Sequence, residues 1–346
     1  MGRVLVAICV SLALPTFPQN ADAAVPYGLS EADSLEIHEG DLTVRLDGHV
    51  VEDLEIRGTL WIAANDVTVR NVWVYAEAPW TIYVEAGSAT FENVEIGHPD
   101  IIGERGIGGN NVTARLLDIH HVEDGIKVGN NSSYEQVHVH DLDSLSADPH
   151  ADAIQADGGS SNVRIVDSIL DSTGPLGTGN ASVFLKSDLG PIDGVLVEGN
   201  QLNGGAYTVF VQDGGNGQPT GVTFTDNTFG PDYAFGLTDI DGPVDWSGNT
   251  FAPTGEQVES DGTLSATGAP PETSVPIPSV TSSISPTTTL ADKPDGEANE
   301  PPSPPAGTDG EPPIAPWVAG LLGAFALGAL FNAVWSRRRN RGDRAG

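Results

Sequence analysis

Eight stretches of this chain share one register, and that repetition limits the folds open to it more than any other feature. The pattern apolar-x-apolar-x-x-(small, apolar or Asn)-x-apolar fits VTVRNVWV from Val67, ATFENVEI from Ala89, VTARLLDI from Val112 and SSYEQVHV from Ser132. It returns in VRIVDSIL from Val163, VLVEGNQL from Val195, VTFTDNTF from Val222 and VDWSGNTF from Val244. The matches start roughly twenty to thirty-two residues apart, as in a solenoid whose loops accept insertions while its strands hold register. Each match is two short runs of strand periodicity separated by a two-residue bend, with Gly, Asn and Asp at the corners. Such a rung buries its alternate side chains against the rungs above and below it. Asn200, Asn227 and Asn249 fall at one position of the last three rungs, where stacked amides are expected to hydrogen-bond along the axis. No part of the body, residues 24–252, has the pattern of a long amphipathic helix, so the expected class is all-β.

A third strand follows each repeat. DGIKVG, DAIQADG, VFLKSD, VFVQDG and FGLTDI align on Ile126, Ile154, Leu185, Val211 and Leu237 as inward residues, which turns Lys127, Gln155, Lys186, Gln212 and Thr238 outward in one column. Lys127 and Lys186 are the only lysines between signal and stalk, and in this alignment they stand roughly 10 Å apart, two rungs at about 4.8 Å each. Asp157 and Asp188 follow on the same face. A second polar column is expected from the preceding strand, where Asp118 aligns with His138 and His120 with His140, while His121 and His150 lie in neighbouring connections. Five of the eight histidines fall between residues 120 and 150. Asp124 and Asp152 have inward parity and are expected to cap turns. Trp61, Trp73, Tyr75, Trp80 and Tyr83 on the early rungs are candidates for stacking on sugar rings, although some must pack at corners.

On this rung periodicity the body resembles the single-stranded right-handed parallel β-helix (solenoid) proteins of the pectate-lyase-like superfamily. The resemblance implies a polysaccharide substrate and, for an acidic one, β-elimination on an exposed strand face. A cation offsets the uronate carboxylate, and a base then takes the acidified proton. Carried over to this sequence, it implies Lys127 or Lys186 as the base, with His150 or His140 assisting or replacing it. Gln155, Gln212, His120 and His138 become substrate-binding candidates, and Asp157 and Asp188 ligands of a Ca2+ ion. A lysine flanked by aspartates is held protonated, the wrong direction for a base, and bound calcium would relieve this. Two alternatives stand beside the lyase. One is a glycoside hydrolase using paired carboxylates from Asp152, Asp157 and Asp188; DAIQADGG resembles the acidic strands of β-helix polygalacturonases, whose full set of motifs the sequence does not carry. The other is a non-catalytic surface adhesin or glycan-binding module.

The chain ends carry their own expectations. Residues 1–23 have the make-up of a secretory signal, with an apolar run after Arg3 and the small-residue site Ala21-Asp22-Ala23. Residues 253–316, rich in Pro, Ser, Thr and acids, are expected to form a disordered stalk. Residues 317–335, flanked by Trp317 and Trp335, have the length and composition of a transmembrane helix, and the basic tail 336–346 fits the cytoplasmic side. A processed sorting signal is the competing reading of that helix. These features make the expected protein a secreted, membrane-anchored monomer with its β-helix outside the cell. Its sole cysteine, Cys9, lies in the signal, so the mature protein has neither disulfides nor thiolate chemistry. A net charge of -33 argues against a nucleic-acid partner, because phosphate binding needs clustered cations. It also repels polyanions at long range unless divalent cations intervene.

Overall fold

The computed structural model describes residues 27–30, 35–147 and 149–266. The segments expected to form a signal, a transmembrane helix and a basic tail, and most of the segment expected to be stalk, lie outside these residues. The described secondary structure is strand throughout, with no helix. From Glu36 to Phe251 the strands pair in parallel, each rung with the next. The result is a parallel β-helix with three strand columns per coil. In the early coils a single strand runs round the corners, as in Leu60–Tyr75 and Ile82–Ile96. In later coils it breaks into pieces such as Ala181–Lys186, Ile192–Glu198 and Gln201–Asn203.

The bend inside each repeat is tighter than the expected two residues. One residue per rung turns the chain through a left-handed conformation, at Asp53, Asn71, Asn93, Leu116, Gln136, Asp167, Gly199, Asp226 and Gly248, with φ between 49° and 69°. Asn and Asp tolerate this region and Gly enters it without steric cost, which explains the corner composition. At Gly199 the need for glycine is twofold, since φ is +69° and a Cβ would stand 2.7 Å from Asp167 Oδ1 on the preceding rung.

The core is one column of stacked aliphatic side chains with Phe91, Tyr134, Phe224 and Phe229 as its largest fully buried members. Beside it runs the expected asparagine ladder. Asn200 Nδ2 donates to Asn227 Oδ1 at 3.0 Å and Asn227 Nδ2 donates to Asn249 Oδ1 at 2.9 Å, while the backbone N–H groups of Asn200 and Asn227 donate to the same two oxygens. The ladder continues upward through a serine: Ser168 N donates to Asn200 Oδ1, and Val137 N donates to Ser168 Oγ.

The folded body extends past residue 252 into the segment expected to be stalk. Gln257–Val258 and Leu264–Ser265 form an antiparallel hairpin over the last coil. Val258 is buried, its carbonyl accepts from Trp246 Nε1 at 2.6 Å, and Thr238 Oγ1 donates to Ser260 O at 2.9 Å. Local apolar contacts and hydrogen bonds thus hold a stretch whose composition alone reads as disordered.

Candidate functional site

The strand that follows each repeat forms the first column, with the two halves of the next repeat as the second and third, and it presents one line of outward residues along the solenoid axis. Register pairs run Trp61 with Tyr83, Tyr83 with Gly108, Gly108 with Lys127, and Lys127 with Gln155. They continue from Gln155 to Phe184, from Phe184 to Phe210 and from Phe210 to Asp239. Gly108 leaves room for Trp80, whose ring lies where a Cβ would otherwise project. Trp80 stacks 4.5 Å from Tyr83, and Trp61 meets Tyr83 edge-on at 5.8 Å. On the far side Phe184 meets Phe210 at 5.6 Å, with Tyr207 5.2 Å from Phe210. All these rings are partly exposed. A polar centre of Lys127 and Gln155 is thereby bracketed by aromatic surface on both sides.

Within that centre Lys127 Nζ donates to Gln155 Oε1 at 2.7 Å and forms an ion pair with Asp157. Lys186 belongs to the neighbouring outward line and pairs with Asp188 at 3.2 Å. The expected single column of lysines is therefore corrected: Ile154 pairs with Val183, so Phe184 occupies the place assigned to Lys186, and Lys186 pairs in register with Gln212. A slip of two residues keeps every apolar side chain inward, so the alternation that located the strand could not reveal it. At the last rung the slip is three. Thr238 faces inward, level with Val209, and Asp239 takes the outward place and accepts from Gln212 Nε2 at 2.7 Å.

Asp157 and Asp188, the expected calcium ligands, are both engaged in ion pairs with a lysine ammonium, and the register sets Asp188 two residues beyond the level of Asp157. Asp152 is also removed from any surface carboxylate pair. It is fully buried and stacks on Asp124, whose Oδ1 accepts from Asp152 N at 3.3 Å, while Asn180 Nδ2 donates to Asp152 Oδ1 at 2.9 Å. Asp152 Oδ2 has no hydrogen-bond partner. Burial pushes the Asp124 carboxyl up to about 7, and burial together with the neighbouring Asp124 raises Asp152 well above the usual carboxylate range.

The histidines gather at the corner between the third column and the first. Asp118 pairs with His138 as the sequence implied, and His140 N donates to Ile119 O, which brings His140 level with His120. His138 Nδ1 and His140 Nε2 both donate to Asp118 Oδ1, at 3.0 and 3.1 Å, with their rings stacked at 4.1 Å. His140 Nδ1 faces Asp141 Oδ2 at 2.8 Å. Burial works to raise the Asp118 pKa, but hydrogen bonds from the two histidines and their charge outweigh it and hold the carboxyl well below its usual range. Burial likewise works to lower His140, and hydrogen bonds to Asp118 and Asp141 outweigh it and raise it. His120 lies 2.8 Å from His121, Nδ1 to Nδ1, and 3.4 Å from Glu95. His150 is exposed on the connection between the two columns, where its backbone N–H donates to Glu123 Oε1 at 3.0 Å. Tyr27, just after the expected signal, lies 5.3 Å from the His138 ring.

The early aromatics divide between two faces. Trp61, Trp80 and Tyr83 join the outward line, whereas Trp73 and Tyr75 pack against His98 on the third column, with Tyr75 buried and its hydroxyl donating to Glu55. Phe184 and Phe210 were missed, although the parity that turns Lys186 outward also turns Phe184 outward.

No family model matches the chain, and no curated protein matches it. Among solved structures it is similar to an alginate lyase from Paenibacillus sp. str. FPU-7, at 13% identity and a TM-score of 0.44, over 66% of this chain and 92% of that one. It is similar at 12% identity and a TM-score of 0.45 to the enzymatically active domain of bacteriophage CBA120 tailspike protein 2, over 68% of this chain and 40% of that one. The full-length tailspike protein 2 from Escherichia coli O157:H7 bacteriophage CAB120 gives 13% and 0.44, over 67% and 36%. At such identities and scores, the roles of residues rest on the geometry of this chain alone.

Proposed function

We propose that this is a cell-surface, carbohydrate-active β-helix protein that seats one linear acidic polysaccharide along the outward line from Trp61 to Phe210. The observation that carries the reading is the continuity of that line, in which aromatic rings flank a lysine–amide centre. Six rung steps of about 4.8 Å span roughly 29 Å, room for several sugars lying parallel to the axis. Aromatic faces give each ring apolar contact at little entropic cost, and the polar centre fixes register.

Cleavage is proposed at the centre, by β-elimination. Lys127, ion-paired with Asp157, suits the role of the cation that offsets a uronate carboxylate and acidifies the adjacent carbon. Lys186, outward on the same face, is the base we assign. It must lose its proton in the bound complex, which requires substrate to displace Asp188 from its ammonium. Lys186 takes the proton, the bond from the β carbon to the glycosidic oxygen breaks with formation of a carbon–carbon double bond in the new non-reducing sugar, and the departing oxygen takes up a proton from water.

One observation favours a second reading, a binding module without catalysis: both lysines of the face are ion-paired, and the Asp152 carboxyl is buried. Incubating the protein with a panel of acidic and neutral polysaccharides, while following ultraviolet absorbance and reducing ends, separates the readings. The lyase is expected to generate absorbance that disappears in Lys127→Ala and Lys186→Ala. Reducing ends without absorbance would indicate hydrolysis. Retained binding with neither signal would leave the recognition module.

A further inference from the structure

The cluster at the third column lies apart from the proposed glycan line, and its donor set has a chemistry of its own. Asp118, His138 and His140 each offer one ligand atom, and these atoms lie within 4.8 Å of one another. We propose that Asp118, His138 and His140 form a binding site for a divalent transition-metal ion, of the zinc or cobalt type, that joins two consecutive rungs.

Three features carry it. The first is spacing. With bonds of about 2.1 Å, two ligands of a tetrahedral ion stand roughly 3.4 Å apart. Asp118 Oδ1 is 3.0 Å from His138 Nδ1 and 3.1 Å from His140 Nε2, so small side-chain rotations open the set to that geometry. The second is competition. Two imidazoles stacked at 4.1 Å and 19° aim their nitrogens at the same carboxylate oxygen, an arrangement that repels when both are cationic. A shared metal ion lets both rings ligate in the neutral form. The third is the outer partner of His140: its other ring nitrogen faces Asp141 Oδ2 at 2.8 Å, the carboxylate–histidine pairing that orients metal-bound imidazoles. Two nitrogens and one oxygen select against calcium, which takes six to eight oxygens.

The positions are set by the fold. Asp118 and His138 are register partners, and His140 follows His138 by two residues, so it emerges beside it where the strand Ser132–Val139 ends. Tyr27, above the His138 ring, and Gly28, whose N–H donates to Leu116 O, cover the outer side. Binding is therefore expected to tighten the two rungs and the Tyr27–Ser30 segment together.

The test is calorimetric titration of the metal-stripped full chain with Zn2+ alone and Ca2+ alone, with Co2+ absorption as a second readout. One Zn2+ per chain is expected, with Ca2+ failing to compete. That binding should be lost in His138→Gln and His140→Gln and weakened on the order of tenfold or more in Asp141→Asn. His150→Gln, altered on an exposed connection, should bind as the unaltered chain does. Absence of stoichiometric Zn2+ binding, or binding that survives both ligand substitutions in folded protein, overturns the assignment. If those variants fail to fold, Co2+ loading of the unaltered chain decides it: visible bands of a low-coordinate nitrogen-ligated ion support the site, and their absence refutes it. Glycan cleavage is not a readout here, so this result and the lyase test stand or fall separately.

Discussion

Replacing Asn227 by alanine probes what holds the coils in register. Its fully buried side chain makes four hydrogen bonds: it accepts from Asn200 N and Asn200 Nδ2 and donates to Val197 O and Asn249 Oδ1, all at 2.9–3.0 Å. Asn249 Oδ1 keeps a partner in Asn227 N, and Asn200 Nδ2 keeps Ile165 O. Asn200 N and the second Asn200 amide hydrogen lose their acceptor. At about 1–3 kcal/mol for each unsatisfied buried group, plus a small cavity, Asn227→Ala should cost about 4 kcal/mol. The molecule contains its own control, because Ser168 fills the equivalent position one rung beyond Asn200 and accepts from Val137 N through its hydroxyl. Asn227→Ser should therefore recover roughly half the loss. Equilibrium urea unfolding of the three proteins at one pH, with slopes compared to confirm a common transition, measures these differences. A cost below about 1 kcal/mol for alanine, or serine no better than alanine, would refute the claim that the amide ladder is a principal restraint.

Two further outcomes follow from other sites. Asp124 and Asp152 have carboxyl pKa values raised in the fold, so they favour folding when protonated, and this contribution is lost as pH rises, for Asp124 through about 7. Asp152→Asn should accordingly gain stability over the unaltered protein as pH rises from 5 to 8, read as a widening gap between their unfolding curves; parallel curves would refute the raised carboxyl pKa values. Gly108→Ala should displace the Trp80 ring and weaken binding of a polysaccharide ligand several-fold while leaving the far aromatic pair in place, as read by affinity electrophoresis against Phe184→Ala. An unchanged affinity in both variants would remove the outward line as the binding surface.

The sequence carried more of the scaffold than of the site. Strand alternation recurs from rung to rung and Asn, Asp or Gly stands at most corners, and both are written in residue types, so the solenoid and its amide ladder were legible. Part of the register between rungs was legible as well: Asp118 was aligned with His138 and Ile126 with Ile154, and both pairs hold. Beyond the connection between Asp171 and Ala181 the register slipped by two, because nothing in an apolar alternation penalises an even shift. The ion pair Lys127–Asp157 joins two rungs and so depends on register, whereas Lys186–Asp188, two residues apart on one face, follows from alternation alone. The closing hairpin was hidden for another reason: only Val258 and a few hydrogen bonds distinguish it from the stalk sequence that follows.

That hairpin bears on how the protein behaves in a crowd. A parallel coil ends on a row of open backbone donors and acceptors, a template on which a second copy can grow in the same direction. Here the chain doubles back across the terminal coil, touching Thr238, Trp246 and Thr250 in its three columns. An incoming parallel strand meets a short strand pointing the other way. This hinders filament growth from that end, and a truncation before Gln257 should increase self-association relative to the unaltered chain.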